Sequence, residues 1–372
     1  MDTQQALFLQ LLHAGMWGEE PVTDLLPVST EEWQQIHFIA CKQTVQGVVY
    51  DAVTRLPESL RPSPVILDRW SAEVRHIEQT YIRHIRTYAW ISTRMQAEEG
   101  LTPIILKGLT LAACYPASAH RVVGDIDLFY GSADACEQAN QCVERWGQKV
   151  QRGEMDEAVF MLGDVVIEHH GCFLLIHSPL RRKRLQRWID KQLSSLSSFP
   201  QIPIEGLPVK TLPPQLDLLQ LSMHSLKHVL NEGIGFRQLV DVALYLKYHH
   251  AEIDGTAFRQ ALHTFGIYRW ANLTFAFCVK VLGMPEALLP YAFPINRYSP
   301  DILLNEVWLS GNFGFMDERN ADRPDDALGG KVFTARRMWR NSFRFFPYAP
   351  SEAFWVPVGA LMVNIHDLFH KK

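Results

Sequence analysis

The stretch VVGDIDLFY at residues 122–130 decides the fold of this chain. Its β-branched and aromatic residues predict a β-strand, and the alternation of side chains along a strand places Asp125 and Asp127 on one face. Two like charges held side by side are costly unless a cation lies between them. Mg²⁺ prefers oxygen ligands, so the pair is a candidate metal site. A D-x-D pair also occurs in turns and on exposed strands, and the motif alone leaves both interpretations open.

The sequence around this strand predicts a small α/β unit. Upstream, residues 102–106 are a short β-branched run typical of a buried strand, and residues 109–115 are typical of a short helix. Downstream, residues 133–147 predict another helix. The apolar runs 159–162 and 165–168 are separated by Gly-Asp, a pair that favours a two-residue hairpin turn. This order of strands and helices indicates a small mixed sheet.

Helical segments flank this unit on both sides. Apolar residues recur every three or four positions between 66 and 96, which predicts one long helix. Further helices are predicted at about 213–230, 237–249 and 256–282, and the Ser/Pro-rich stretch 194–214 is predicted to be a loop or linker. We therefore predict an α+β protein in which a mixed-sheet core lies between N- and C-terminal helical regions, with domains at 1–98, 99–178 and 179–372.

Residues near the carboxylate pair favour phosphate chemistry. Lys107 and Gly108 end the first strand, where a lysine offers a charge to phosphate and a glycine lets phosphate approach the backbone. A plain strand-to-helix turn is the other interpretation of this pair. Glu168 can supply a third carboxylate from a neighbouring strand, and His170 shares its face. Three carboxylates can hold two Mg²⁺ ions about 3.5–4 Å apart, the geometry of in-line nucleotidyl transfer, and one of them can act as the base.

These residues resemble the uncharacterised nucleotidyltransferase family of the polymerase-β-like superfamily. The resemblance rests on Leu106-Lys107-Gly108, Tyr115-Pro116, Arg121, Asp125-Ile126-Asp127-Leu128, and Glu168 two residues before His170. It implies a nucleotidyltransferase fold for the core, an NTP such as ATP as the substrate, and Mg²⁺ or Mn²⁺ as the cofactor. The site residues that it implies are the catalytic and metal-binding Asp125, Asp127 and Glu168, and the nucleotide-binding Lys107, Gly108, Arg121 and Gly124.

The resemblance extends to the C-terminal helical region. There the family pattern is His-x-x-x-His followed by Arg and Asp on the next helix, and the matching residues are His224, His228, Arg237 and Asp241. Together with His170, they are a candidate substrate pocket for the triphosphate or the acceptor. Two other interpretations stay open. One is a metal-dependent phosphohydrolase that uses His224, His228 and Asp241, because histidines four apart on a helix can share a metal. The other is a buried polar network.

Composition limits the class of protein. The net charge is −4, so the whole chain has no bulk attraction for nucleic acid or anionic lipid. Hydrophobic residues make up 47% and charged residues 20%, which is typical of a globular protein. The six cysteines form no C-x-x-C pair, which predicts reduced thiols and a cytoplasmic protein. No apolar run reaches the roughly 18 residues of a membrane span.

The sequence therefore predicts a Mg²⁺-dependent nucleotidyltransferase that moves a nucleotide monophosphate from an NTP to an acceptor. The negative net charge favours a small molecule, a carbohydrate or a protein over nucleic acid as that acceptor. The basic segment 181–187 and the basic and aromatic segment 331–346 are interpreted as solvated helix faces beside core aromatics. The alternative within the same fold is a non-catalytic nucleotide-binding or interaction module.

Overall fold

The computed structural model describes residues 2–153, 157–314 and 316–370. Within this part of the chain, helices predominate and seven strands form one mixed sheet, which confirms the predicted α+β class. The six cysteines, all of which are described, form no disulfide, and four of them are buried.

The chain divides into two compact units. The first comprises residues 1–41, 45–174 and 193–217, and the second comprises residues 42–44, 175–192 and 218–372. The predicted boundaries at 98/99 and 178/179 stay predictions.

The helices of the described residues begin and end as follows: α1 Thr3–Trp17, α2 Thr30–Lys42, α3 Gln46–Arg55, α4 Pro64–Glu99, α5 Leu109–Ala112, α6 Ala133–Arg145, α7 Pro179–Ser194, α8 Pro214–Asn231, α9 Phe236–His249, α10 Gly255–Phe265, α11 Tyr268–Lys280, α12 Asp301–Ser310, α13 Ala327–Phe345 and α14 Pro350–His370. The long helix α4 confirms the prediction from the apolar periodicity between 66 and 96. No helix in the described part of the chain combines the length and the apolar character that crossing a membrane requires.

The sheet belongs to the first unit and has the strand order β3-β4-β5-β2-β1-β7-β6. Its strands are β1 Ile104–Ile105, β2 Ile126–Phe129, β3 Gln151–Arg152, β4 Glu157–Leu162, β5 Val165–His170, β6 Gln201–Ile204 and β7 Leu207–Thr211. The pairs β2–β5 and β1–β7 are parallel, and the other pairs are antiparallel. The predicted hairpin around the Gly-Asp pair is confirmed as β4 and β5, with a left-handed φ of 61° at Gly163.

The prediction of a loop or linker at 194–214 is wrong, because this stretch contains β6 and β7. Pro203 and Pro208 face each other in the ladder and hid the strand signal in the sequence. Proline removes a backbone donor, so it is tolerated on an edge strand such as β6. The sheet consequently takes in residues well beyond position 178.

Apolar side chains of α4 and α6 cover one face of this sheet. Tyr88 and Ile91 of α4 and Val143 of α6 pack in one buried cluster with Ile126 and Leu128 of β2. Full burial of such a side chain contributes about 1.5–3 kcal/mol, so this cluster fixes which face of β2 turns inward. Side chains alternate along a strand, and the residue between the two apolar ones must therefore point to the opposite face.

Two further boundaries differ from the predictions. The strand predicted at 122–130 begins only at Ile126, because the Gly124 carbonyl accepts a hydrogen bond from a helix side chain, His84 Nε2, at 2.6 Å. The helix predicted at 256–282 is two helices, α10 and α11. Gly266 ends α10 with a φ of 78°, a left-handed conformation that glycine adopts readily.

All secondary-structure elements described for the second unit are helices. Its core includes most residues of α9 and α11, and Trp270 Nε1 donates to the Ser222 carbonyl at 2.8 Å. In α7, Leu185 and Ile189 are buried while most of the basic side chains at 181–187 are exposed. This segment is a solvated helix face, as predicted.

Candidate active site

Two neighbouring parallel strands bring two carboxylates together. Asp127 of β2 lies directly beside Glu168 of β5 in the ladder. Asp127 is fully buried, and it points away from the face that α4 and α6 cover. The backbone of Asp127 also accepts a hydrogen bond from the Leu106 amide at 3.1 Å, which ties β2 to the end of β1. The sheet therefore fixes the relative position of these carboxylates.

One oxygen of Asp127 contacts two basic side chains, those of Lys107 and His170. Lys107 Nζ lies 3.1 Å from Asp127 Oδ1, and His170 Nε2 lies 2.9 Å from the same atom. The other oxygen, Oδ2, is buried and has no hydrogen-bond partner among the described residues. An unpaired buried carboxylate oxygen costs free energy, so Oδ2 is an acceptor that a ligand can satisfy.

The two neighbouring carboxylates have opposite pKa shifts. Burial alone would raise the pKa of Asp127, but Lys107 and His170 outweigh burial and lower this pKa to about 2. Burial, together with the charges of Asp125 and Asp127, raises the pKa of Glu168 to about 7. The negative charge of the site therefore exceeds the positive charge of Lys107 and His170, and the excess favours the protonated form of Glu168.

His170 and His169 take opposite faces of β5, as strand alternation predicts. His170 faces the carboxylates, with Nε2 also 3.6 Å from Glu168 Oε2 and Nδ1 3.8 Å from Glu157 Oε1. Burial opposes protonation of His170, but the hydrogen bond to Asp127 raises its pKa. His169 lies in the core, where Tyr130 Oη is 3.0 Å from its Nε2. Burial there lowers its pKa to about 3, and this ring is neutral.

Among the other predicted residues of the first unit, Asp125 acts on this pair through its charge, whereas Arg121 lies against the Tyr115 ring. Asp125 lies just before β2, and its charge acts on both Lys107 and Glu168. Gly108 has a φ of 76° and a ψ of −98°, a combination that needs glycine. Arg121 is 5% exposed and its guanidinium lies 5.9 Å from the centre of the Tyr115 ring, so it is not a surface arginine.

The donor set fits a divalent cation. Ligand atoms of Asp127, Glu168 and His170 all lie within 4.8 Å of one another. Two observations support a cation here: the buried Asp127 Oδ2 lacks a partner among the described residues, and burial together with the charges of Asp125 and Asp127 raises the pKa of Glu168. A bound cation would give Asp127 Oδ2 a partner and would lower the pKa of Glu168. Carboxylate oxygens suit Mg²⁺ or Mn²⁺.

The second unit brings the two predicted helix histidines together. His224 and His228 lie one turn apart on α8, with their Nε2 atoms 2.8 Å apart. His228 Nδ1 lies 3.2 Å from Glu232 Oε2, so the contacts run from His224 through His228 to Glu232. Among the described residues, this pair does not belong to a group of three or more metal-ligand side chains within 4.8 Å of one another. The arrangement is a hydrogen-bonded chain of side chains.

A strained loop packs against this histidine pair. Phe313 has a left-handed φ of 55°, and its ring centre lies 4.5 Å from that of His228. The Arg237 guanidinium lies 5.4 Å from the same Phe313 ring, while Asp241, one turn further along α9, is 5% exposed. A non-glycine residue in this backbone conformation lowers stability by about 1–3 kcal/mol, and such residues cluster at functional sites. The four predicted residues thus share one region of the second unit.

Sequence reasoning missed two residues of the first unit that shape the site. Glu157 is the ladder partner of His170 across the hairpin, and pairing the hairpin by register would have found it. His84 lies on the apolar face of α4, and its Nδ1 is 2.8 Å from the Thr80 carbonyl while its Nε2 holds the Gly124 carbonyl. Its position among the periodic apolar residues was the available signal.

Comparisons with known proteins identify the family. Neither the search of curated proteins nor the search of solved structures finds a match. The family model described as "Uncharacterised nucleotidyltransferase" matches residues 29–283, more than half of the chain. This match spans the sheet, the carboxylates and the histidine pair of α8. The chain belongs to the uncharacterised nucleotidyltransferase family.

Proposed function

We propose that this protein is a Mg²⁺- or Mn²⁺-dependent nucleotidyltransferase that moves a nucleotide monophosphate from an NTP to an acceptor. Family membership supports a nucleotidyltransferase-type function. The observation that carries the proposal is the Asp127–Glu168 pair: a buried oxygen without a partner among the described residues beside a carboxylate whose pKa is raised to about 7. A bound cation would stabilise such a pair of carboxylates.

In this proposal the carboxylates hold the cation and Lys107 holds phosphate. Asp125, Asp127 and Glu168 are the ligands, and a bound divalent ion would neutralise charge on the transferring phosphate. Lys107 is already 3.1 Å from Asp127, so a triphosphate shared with the cation lies within its reach. Its charge favours phosphate oxygens. The roles of Gly108, Arg121 and Gly124 in binding the nucleotide rest on the sequence motif.

Glu168 is the proposed base. A bound cation would lower the pKa of both neighbouring carboxyls, and of the two Glu168 binds a proton more readily than Asp127, so it is the better candidate for a general base. The acceptor hydroxyl loses its proton to Glu168 as its oxygen bonds to the α-phosphorus. The bond from that phosphorus to the bridging oxygen breaks, and pyrophosphate leaves with the electron pair. Asp127 has a pKa of about 2 and stays ionised throughout.

The cluster of the second unit is the proposed place for the acceptor or the triphosphate. His224 and His228 offer hydrogen bonds, and Arg237 offers a positive charge beside the Phe313 ring. These groups suit a polar or anionic ligand with a hydrophobic edge. A small molecule, carbohydrate or protein is the proposed class of acceptor, since the chain has a net charge of −4.

Calorimetric titration with each of the four NTPs, with and without Mg²⁺, tests the donor site. Wild type should bind one or more NTPs only with Mg²⁺, and Asp127→Asn should lose this binding while staying folded. Asp134→Asn, at an exposed position in the first turn of α6, is the matched control and should bind as wild type does. Equal binding by folded Asp127→Asn would contradict the proposal.

Release of pyrophosphate then separates catalysis from binding. Incubation of the protein with the bound NTP, Mg²⁺ and a panel of sugars, small alcohols and proteins should release pyrophosphate with one class of acceptor. Glu168→Gln should reduce this release by at least about 100-fold, the typical contribution of a positioned base. Mg²⁺-dependent binding without transfer to any acceptor would favour the non-catalytic module.

A further inference from the structure

A second cluster of ligating side chains lies in the first unit, apart from the carboxylates of the sheet. His37 and Cys41 lie one turn apart on α2, and Glu73 approaches them from α4. Ligand atoms of these three residues lie within 4.8 Å of one another. Nitrogen, sulfur and oxygen in one cluster is a donor set typical of transition metals.

Two of the three distances between these atoms match the edges of a zinc tetrahedron, and the third is slightly short. Zn²⁺ binds sulfur at about 2.3 Å and nitrogen or oxygen at about 2.0–2.1 Å, so tetrahedral geometry separates sulfur from the other donors by about 3.5 Å. Cys41 Sγ lies 3.5 Å from His37 Nε2 and 3.4 Å from Glu73 Oε2. His37 Nε2 and Glu73 Oε2 are 2.9 Å apart and need to separate by about 0.4 Å to reach tetrahedral spacing.

The surroundings fix the donors and leave one side open. The His37 ring packs on the buried Trp70 ring, with their centres 4.7 Å apart, which limits the rotation of the imidazole. The side chain of Glu73 is 34% exposed, so a fourth ligand can reach the metal from solvent. A site with three protein ligands and one open position is the arrangement of exchangeable or catalytic zinc rather than of a closed structural centre.

We propose that His37, Cys41 and Glu73 form a transition-metal site that takes Zn²⁺ and joins α2 to α4. On binding, the Cys41 thiol releases its proton to solvent and its sulfur bonds to the metal, while His37 Nε2 and Glu73 Oε2 donate lone pairs. Water fills the fourth position. This site differs in chemistry from the Asp127–Glu168 pair, because it contains a thiolate. Binding at the two sites is therefore separable by spectroscopy.

Cobalt substitution tests this site in the full-length chain. Co²⁺ bound to a thiolate gives a near-ultraviolet charge-transfer band, which Co²⁺ on carboxylates and imidazole alone does not give. Chelator-treated wild type in excess Mg²⁺ should develop this band at one Co²⁺ per chain, and Zn²⁺ should abolish it. Zn²⁺ should also raise the melting temperature of wild type, because it binds only the folded arrangement.

Variants assign the band to these residues. Cys41→Ser should abolish the band, and His37→Gln and Glu73→Gln should each weaken Co²⁺ binding at least tenfold. The matched control is Cys142→Ser, since the Cys142 thiol also contacts a glutamate, Glu98 Oε2, at 3.4 Å but lies outside the cluster. This control should keep the band. Absence of the band in wild type, or its persistence in Cys41→Ser, would overturn the proposal.

Discussion

Replacing Glu168 by glutamine should stabilise the protein while removing a proposed catalytic group. The pKa of Glu168 is raised from 4.5 to about 7, first by burial and then by Asp125 and Asp127. A carboxyl with a raised pKa keeps its proton in the folded state after the unfolded chain has released it. Stability from this group is therefore greatest below pH 4.5, falls as the pH rises from 4.5 to 7, and stays low above 7.

The size of this effect follows from the pKa values. A change from 4.5 to about 7 corresponds to about 3 kcal/mol of unfolding free energy above pH 7. The Glu168 side chain is 30% exposed, and solvent screens part of the repulsion, so we expect about 1–2 kcal/mol. Glu168→Gln removes the charge at nearly constant volume. The variant should therefore melt about 1–3 °C above wild type at pH 8 and at the same temperature at pH 4.5.

Thermal unfolding at pH 4.5 and pH 8, in a chelator and then in Mg²⁺, measures this difference. Mg²⁺ should reduce the difference in melting temperature between the two proteins at pH 8. The cation relieves the repulsion between carboxylates in wild type and has less negative charge to neutralise in Glu168→Gln. Glu20→Gln, at an exposed position, controls for loss of a carboxylate and should behave as wild type at both pH values. A Glu168→Gln protein less stable than wild type at pH 8, or equally stabilised at both, would refute the electrostatic argument.

Three further predictions test other parts of the first unit. His120 donates from Nδ1 to Asp51 and from Nε2 to Glu78, and the hydrogen bond to Asp51 raises the pKa of His120. Urea unfolding should show that His120→Ala costs more stability at pH 6 than at pH 9. The reason is that the stability contributed by protonated His120 is lost as the pH rises through its pKa in the folded state. Gly108→Ala should cost about 1–3 kcal/mol in the same assay because of its left-handed φ, whereas Gly124→Ala, which has open space for a methyl group, should change stability by less than about 0.5 kcal/mol. Tyr130→Phe should cost about 1–2 kcal/mol by leaving His169 Nε2 without its donor, and calorimetry should show unchanged Mg²⁺-dependent NTP binding because this pair lies on the core face.

The sequence predicted what periodicity and alternation determine. The long helix α4 follows from its apolar face, and the hairpin follows from the Gly-Asp turn between apolar runs. Alternation on β5 also placed His169 and His170 on opposite faces. Strands β6 and β7 were missed because their pairing is set by distant neighbours: β7 joins β1 about a hundred residues away in the chain, and prolines obscured the local pattern.

Contacts between distant segments explain what the sequence did not predict in the site. The motif predicts that Asp125, Asp127 and Glu168 lie together, but it does not reveal that Lys107 and His170 contact the same oxygen of Asp127. Nor does any local pattern join Glu73 to the two residues of α2, because the approach of two helices depends on their packing. Their i, i+4 spacing was the only signal, and it is common on helices.

The unequal distribution of cations over the site separates the roles of its carboxylates. Lys107 and His170 both contact Asp127, which lowers the pKa of that carboxyl to about 2 and keeps it ionised at neutral pH. Glu168 lies beside it in the ladder, yet its nearest cation is His170 Nε2 at 3.6 Å, and it feels two like charges. Titratable neighbours whose environments move their pKa values apart divide acid–base work between them. Asp127, which is ionised at neutral pH, is suited to hold a cation, and Glu168, which binds a proton more readily than Asp127, is suited to take the proton of the acceptor.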